Sequence, residues 1–129
     1  MRREKFLIEY VFNKASKNSL WNYLTTPTGL SEWFADEVTV KGNLYIFTWN
    51  KSPMEAELLS ISISPNSKAR FKWLDDENPD SYFEFGLHTD EITGAMVLEI
   101  TDFAEPEDKE DAIVLWNSQV KELKRTLGI

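Results

Sequence analysis

The sequence predicts an α+β fold: a curved antiparallel sheet of seven strands, two short helices after the first strand, and a long C-terminal helix packed on the concave face. Three observations carry this. Near the end of the chain Ile113, Trp116, Val120, Leu123 and Leu127 recur at spacings of three, four, three and four, one apolar stripe on one helix. From about Glu37 to Phe103 the chain reads almost wholly as strands and holds no comparable helix. Near the start, Phe6, Ile8, Tyr10 and Phe12 alternate with Leu7, Glu9 and Val11, the period-two pattern of a strand. A helix with one apolar face needs a partner surface, and the sheet supplies it. A sheet curved around such a helix can enclose a pocket between the two.

Taken in order, the first strand ends before Lys14. Ser16 can cap a short helix carrying Leu20, Trp21 and Leu24, and Thr26-Pro27 can start a second one holding Leu30, Trp33 and Phe34. Turn residues then set the rhythm: Gly42-Asn43, Lys51-Ser52-Pro53, Pro65-Asn66, Asn78-Pro79 and Gly94 separate apolar runs. The runs are 38–40, 44–49, 54–63, 68–74, 81–89 and 95–103. Their short links favour an antiparallel meander, because parallel neighbours need crossovers of roughly a dozen residues or more. The last helix is expected over 109–127. Glu107, Asp108, Glu110 and Asp111 stand at its start, Lys121, Lys124 and Arg125 near its end, and Gly128 just beyond, an order that complements the helix dipole and its C-terminal cap.

Length and composition bound the rest. At 129 residues, with 42% hydrophobic and 13% aromatic side chains, the chain suits one domain with one core over 1–129. No apolar run approaches the ~18–20 residues of a membrane span, and Met1-Arg2-Arg3-Glu4-Lys5 leads into strand alternation, so a cytoplasmic protein is expected. The absence of cysteine closes thiol catalysis, disulfides and cysteine metal sites. A net charge of −8 argues against nucleic acid, whose binding draws on cation–phosphate contacts. The acidic runs at Asp75-Asp76-Glu77 and Glu105 to Asp111 read as solvated loops or helix starts.

Local residues then point to a family. Ala15-Ser16 followed by Leu20-Trp21-Asn22-Tyr23-Leu24-Thr25, the Leu30-Ser31-Glu32-Trp33-Phe34 segment, Phe71-Lys72-Trp73 in mid-sheet, and Trp116 with Leu123-Lys124 together resemble the START-like, or SRPBCC, superfamily. That superfamily has the helix-grip fold and includes pollen-allergen proteins, polyketide cyclases and activators of a heat-shock-chaperone ATPase; the activator group is the nearest match. The chain departs from that group in having Lys14 before Ala15 and Ala95 after Gly94. The resemblance covers nearly the whole chain. It implies the fold and a pocket, whereas function across the superfamily ranges over lipid binding, hormone binding, cyclisation and chaperone regulation.

Strand parity nominates the lining. Phe71 and Trp73 oppose Arg70 and Lys72; Phe83, Phe85 and Leu87 oppose Glu84 and His88; Met96, Leu98 and Ile100 oppose Glu99. With Phe47 and Trp49 on an earlier strand, Trp33 and Phe34 near one mouth, and Trp116 and Val120 as the lid, these make an aromatic-rich ligand site. Each ring can bury ~150–250 Å², so the same residues could instead fill the grip as solid core.

Catalytic signals are sparse. The single histidine, His88, lies on the charged parity, and no metal-binding pair, Gly-x-Ser-x-Gly elbow or phosphate loop occurs, so no catalytic residue, metal or cofactor is expected. Gly42, Gly86 and Gly94 are read as turns or crowded strand positions. Asp36 and Asp102 could be buried acids, though capping and strand-end solvation explain them more simply. Three classes of function stay open. The first is a non-enzymatic container for a small apolar or amphipathic molecule, lipid included. The second is a protein-interaction module of the chaperone-regulating kind, monomeric or weakly dimeric. The third is a cyclase- or hydrolase-like enzyme, which needs a buried polar pair drawn from Asp36, Asp102, His88 or Tyr82.

Overall fold

A computed structural model describes residues 3–63 and 66–129, so the Pro65 half of the expected Pro65-Asn66 turn lies outside the described residues. The chain forms β1 (Glu4–Phe12), α1 (Lys17–Thr25), α2 (Pro27–Leu30), β2 (Glu37–Lys41), β3 (Leu44–Trp49), β4 (Ser52–Ser62), β5 (Ser67–Trp73), β6 (Phe83–Thr89), β7 (Met96–Ala104), a 3-10 turn (Pro106–Asp108) and α3 (Lys109–Leu127). The strands make one sheet in the order β1-β7-β6-β5-β4-β3-β2, with every neighbouring pair antiparallel. After β1, the two short helices carry the chain to the opposite edge. From β2 a meander returns it to close against β1.

The caps act as the sequence predicts. Ser16 Oγ accepts from the Ser19 N–H at 3.2 Å, and Thr26 Oγ1 accepts from the Gly29 N–H at 3.0 Å with Pro27 at the first helical position. Gly128 ends α3 in the left-handed region at φ 77°, its N–H bonded to the Arg125 and Lys124 carbonyls. Acidic Glu110 and Asp111 occupy the first turn of α3, and basic Lys124 and Arg125 the last.

Two expectations are corrected here. The second helix does not carry Trp33 and Phe34: α2 stops at Leu30, and both aromatics lie in the turn beyond it. The Trp33 indole donates to the Tyr23 carbonyl at 2.7 Å, and the Phe34 and Ala35 N–H groups converge on the Leu30 carbonyl. These bonds draw the chain off the helix axis and down onto the sheet. Gly86 is not a crowded position, since a Cβ built there meets nothing closer than 3.8 Å. Gly42 and Gly94 do occupy turns, at φ 62° and 76°.

The core lies between the concave face and α3. Phe6, Phe12, Phe47, Phe71, Phe83, Phe85, Leu98 and Ile100 from the sheet are buried against Trp116, Val120 and Leu123 from α3, with Leu20, Leu24 and Leu30 closing one end. On the convex face Glu84 is buried in an ion pair with Arg70 at 2.8 Å, and the Arg70 guanidinium stacks 3.8 Å over the Tyr82 ring. An irregularity between Leu58 and Ser60 shifts the pairing of β4 with β5. Leu59 within it, and Ile61 and Ile63 beyond it, are exposed.

Candidate functional site

The aromatic side chains named from parity divide into two groups. Phe34 sits among rings from three elements, β3, β6 and α3: its centroid lies 5.0 Å from Phe47, 5.3 Å from Trp49, 5.7 Å from Trp116 and 5.9 Å from both Phe83 and Phe85. Phe71 stacks on Phe83 at 5.0 Å and meets Tyr45 edge-on at 5.0 Å. Offset and edge-on pairs of this kind add roughly 0.5–1.5 kcal/mol each beyond burial. Trp33, Phe47, Phe71, Phe83, Phe85, Leu87, Met96, Leu98 and Val120 are all packed into this core, and the centre of the grip is filled. The placement of Trp33 and Phe34 at a mouth is corrected accordingly: Trp33 is buried against Phe85, and Phe34 reaches the core centre.

Space remains at the end where α3 begins. A cleft of about 410 Å³ is lined by Phe34, Trp49, Met54, Trp73, Asp102, Ala112, Leu115, Trp116 and Gln119, and its wall is mostly apolar. Thus Phe34, Trp49, Trp73 and Trp116 of the expected lining meet there. Met54, Ala112, Leu115 and Gln119 were not anticipated. The cleft exists because Ala112 presents only a methyl group where its helical neighbour one turn on, Trp116, fills the space beneath. Leu115 and Met54, both partly exposed, form the rim. Signals for these residues were weak in the sequence, since Ala112 and Leu115 flank the main helical stripe.

Hydrogen bonds hold the walls. The Trp49 indole donates to the Phe34 carbonyl at 2.8 Å, and the Gln119 amide donates to the same oxygen at 3.1 Å, tying β3 and α3 to the turn after α2. Among the described residues the Trp73 indole has no protein acceptor, although Trp73 is only half-buried and faces the cleft.

Asp102 is the one ionisable group in the apolar cleft. One carboxylate oxygen accepts from the Trp116 indole at 2.8 Å and the other from the Phe103 N–H at 2.8 Å. Burial pushes its pKa above the usual carboxylate value despite both bonds and the nearby Arg3 charge, and the Asp76 charge raises it further. Strand-end solvation, the simpler expectation for this residue, is therefore overturned: Asp102 is turned inward and tied to the helix. The other candidate acids and bases lie elsewhere. Asp36 is exposed, where it accepts from the Asn50 N–H at 2.8 Å; His88 is exposed near the end of β6; Tyr82 packs on Phe103 and beneath Arg70. No buried polar pair forms among them.

Trp73 and Asp102 also wall a second cleft of about 390 Å³, lined further by Arg3, Asp76, Ser81, Tyr82, Phe103, Ala104, Glu105 and Asp108. Arg3 pairs with Asp76 at 2.7 Å inside it.

A seven-stranded sheet closed on one long helix, with an aromatic cleft left where they part, defines a helix-grip fold. The chain belongs to the START-like superfamily: the family's model, a START-like superfamily domain, matches residues 1–129. Among solved structures it is similar to a Bacteroides fragilis protein determined by solution NMR, at 45% identity over 100% of this chain and 94% of that one, with a TM-score of 0.69. The fold is shared with the Aha1 dimer from Colwellia psychrerythraea, at 21% identity over 100% of this chain and 98% of that one (TM-score 0.73). It is shared too with CalU16 from Micromonospora echinospora, at 18% identity over 95% and 73% of the two chains (TM-score 0.71). No curated protein matches. No helix among the described residues is long and apolar enough to cross a membrane.

Proposed function

We propose that this protein binds a small hydrophobic or amphipathic molecule, without transforming it, in the cleft between β3, β5 and the first turns of α3. The observation that carries the reading is the cleft itself: about 410 Å³, walled by Phe34, Trp49, Trp73 and Trp116, with Asp102 and Gln119 as its polar points. Sites for small molecules have this character, a concave apolar lining with few polar groups that fix orientation. Family membership supports it, since containers are common on this fold. The enzyme reading has less behind it, because the cleft offers one carboxylate and no second ionisable group among the described residues.

The test is a titration with N-phenyl-1-naphthylamine, a neutral probe whose emission rises in apolar surroundings. One probe per chain is expected, displaced by competing apolar ligands. Ala112→Trp places an indole in the cleft and is expected to abolish the signal while the thermal transition is retained. A folded Ala112→Trp protein that binds the probe as well as the unaltered chain would refute the assignment.

A second reading is favoured by a separate observation. Leu59 and Ile61, on the half of β4 that runs past the end of β3, and Ile63 just beyond β4 expose aliphatic surface; the last partner of β3 on β4 is Glu57. Such an edge with apolar side chains invites pairing with another chain. This supports weak self-association or a protein partner of the kind the chaperone-activator resemblance implies.

A further inference from the structure

We infer that the ligand of the aromatic cleft is a cationic amphiphile, a flat apolar body carrying a protonated amine, which lies across both clefts with the amine at Asp102. The inference rests on the container reading above and names the chemistry of its cargo.

The two clefts adjoin, since Trp73 and Asp102 wall both of them. Their characters are complementary: one is aromatic, and the other is lined by Asp76, Glu105 and Asp108 as well as Asp102, with Arg3 the one cation among them. A molecule spanning the shared wall must therefore be apolar at one end and suited to carboxylates at the other. Each Asp102 oxygen makes one bond within the protein and keeps a lone pair for a further donor. Ser81 adds an independent sign. It is 3% exposed, lines the acidic cleft, and its Oγ has no hydrogen-bond partner, an orphan that a ligand's polar group would satisfy.

Positive charge is favoured over neutral or negative chemistry for two reasons. The acidic half already seats one cation, the Arg3 guanidinium on Asp76. The chain's net charge of −8 draws cations and repels anions. A metal ion is a poorer fit, because no three acidic or histidine side chains among the described residues converge to hold one. The positive end of α3 lies nearby but faces its own Asp108, Glu110 and Asp111.

The experiment is isothermal calorimetry on the full chain with three probes sharing one body: 2-naphthylmethylammonium, 2-naphthylmethanol and 2-naphthoate. At pH 7.5 and low salt the ammonium is expected to bind at least tenfold tighter than the alcohol, and the carboxylate weakest. Asp102→Asn should bring the ammonium-to-alcohol ratio close to one. On the unaltered chain the same ratio should fall as pH is lowered and Asp102, whose pKa burial raises, gains its proton; the other charges facing it are Arg3, Asp76, Glu105 and Asp108, with Lys72 at 4.0 Å from Asp76. An alcohol that binds as well as the ammonium, or a tighter naphthoate, overturns the inference and leaves the container reading standing. Failure of all three probes to bind overturns both.

Discussion

Asp102 is a carboxylate whose burial has a cost to stability that depends on pH. Its pKa is raised in the folded chain, above all by burial, so the native state holds the proton more tightly than the unfolded chain does. The stability it contributes is complete below the unfolded carboxylate pKa and is lost as pH rises through the folded value. Asp102→Asn keeps an oxygen to accept from the Trp116 indole and removes that loss. In thermal melts the variant's Tm advantage is therefore expected to widen between pH 4 and pH 8; a gap that stays constant would show that the carboxylate is not strained by burial. Trp116 is the partner. Trp116→Ala empties a large core site and strips Asp102 of its donor, so a loss of ~3–5 kcal/mol is expected in chemical denaturation. A loss below about 1 kcal/mol would mean that α3 gains little from this contact. The sequence offered Asp102 as one of two candidate acids and Trp116 as a lid, but their hydrogen bond joins residues 14 positions apart in two different elements. Neither period two nor period 3.6 can report such a bond.

Elements whose signals are local were legible in full. The bounds 109–127 of α3 follow from its stripe, its acidic start and Gly128, all of which act within a few residues. The turn after α2 was not legible, because Trp33 and Phe34 continue a helical spacing while their positions are set by partners on α1, β3 and α3. Glycine makes the distinction testable. A Cβ at Gly29 would lie 2.2 Å from the Asn22 carbonyl oxygen and 2.6 Å from Tyr23 Cα, backbone atoms that cannot step aside, so Gly29→Ala is expected to cost at least ~1–3 kcal/mol. At Gly86 the nearest atom is 3.8 Å away, and Gly86→Ala is expected to be neutral or stabilising by up to about 1 kcal/mol. Urea denaturation of the two variants reads both effects. Equal losses would show that the approach of α1 to α2 is not the constraint it is taken to be.

For the whole molecule, the seven-stranded sheet leaves β1 and β2 as edges and lets β4 run past β3. If Leu59, Ile61 and Ile63 act as a contact surface, sedimentation should show concentration-dependent dimers that Ile61→Lys abolishes without altering probe binding in the cleft. A chain that stays monomeric at high concentration would remove the support for the interaction reading. The sequence by itself determined the fold: element types, strand parity and the helical face all follow from patterns spanning a few residues, because pleat and helix repeat locally. The tertiary structure alone decided which aromatic residues are core and which are site. The strand rings share one concave parity, and that parity cannot say that Phe34, from the turn after α2, would plug the centre while Ala112 left room beside Trp116. Whether a ring fills a space or lines one depends on the volume supplied by residues distant in the chain, and that sum is made only when the elements pack.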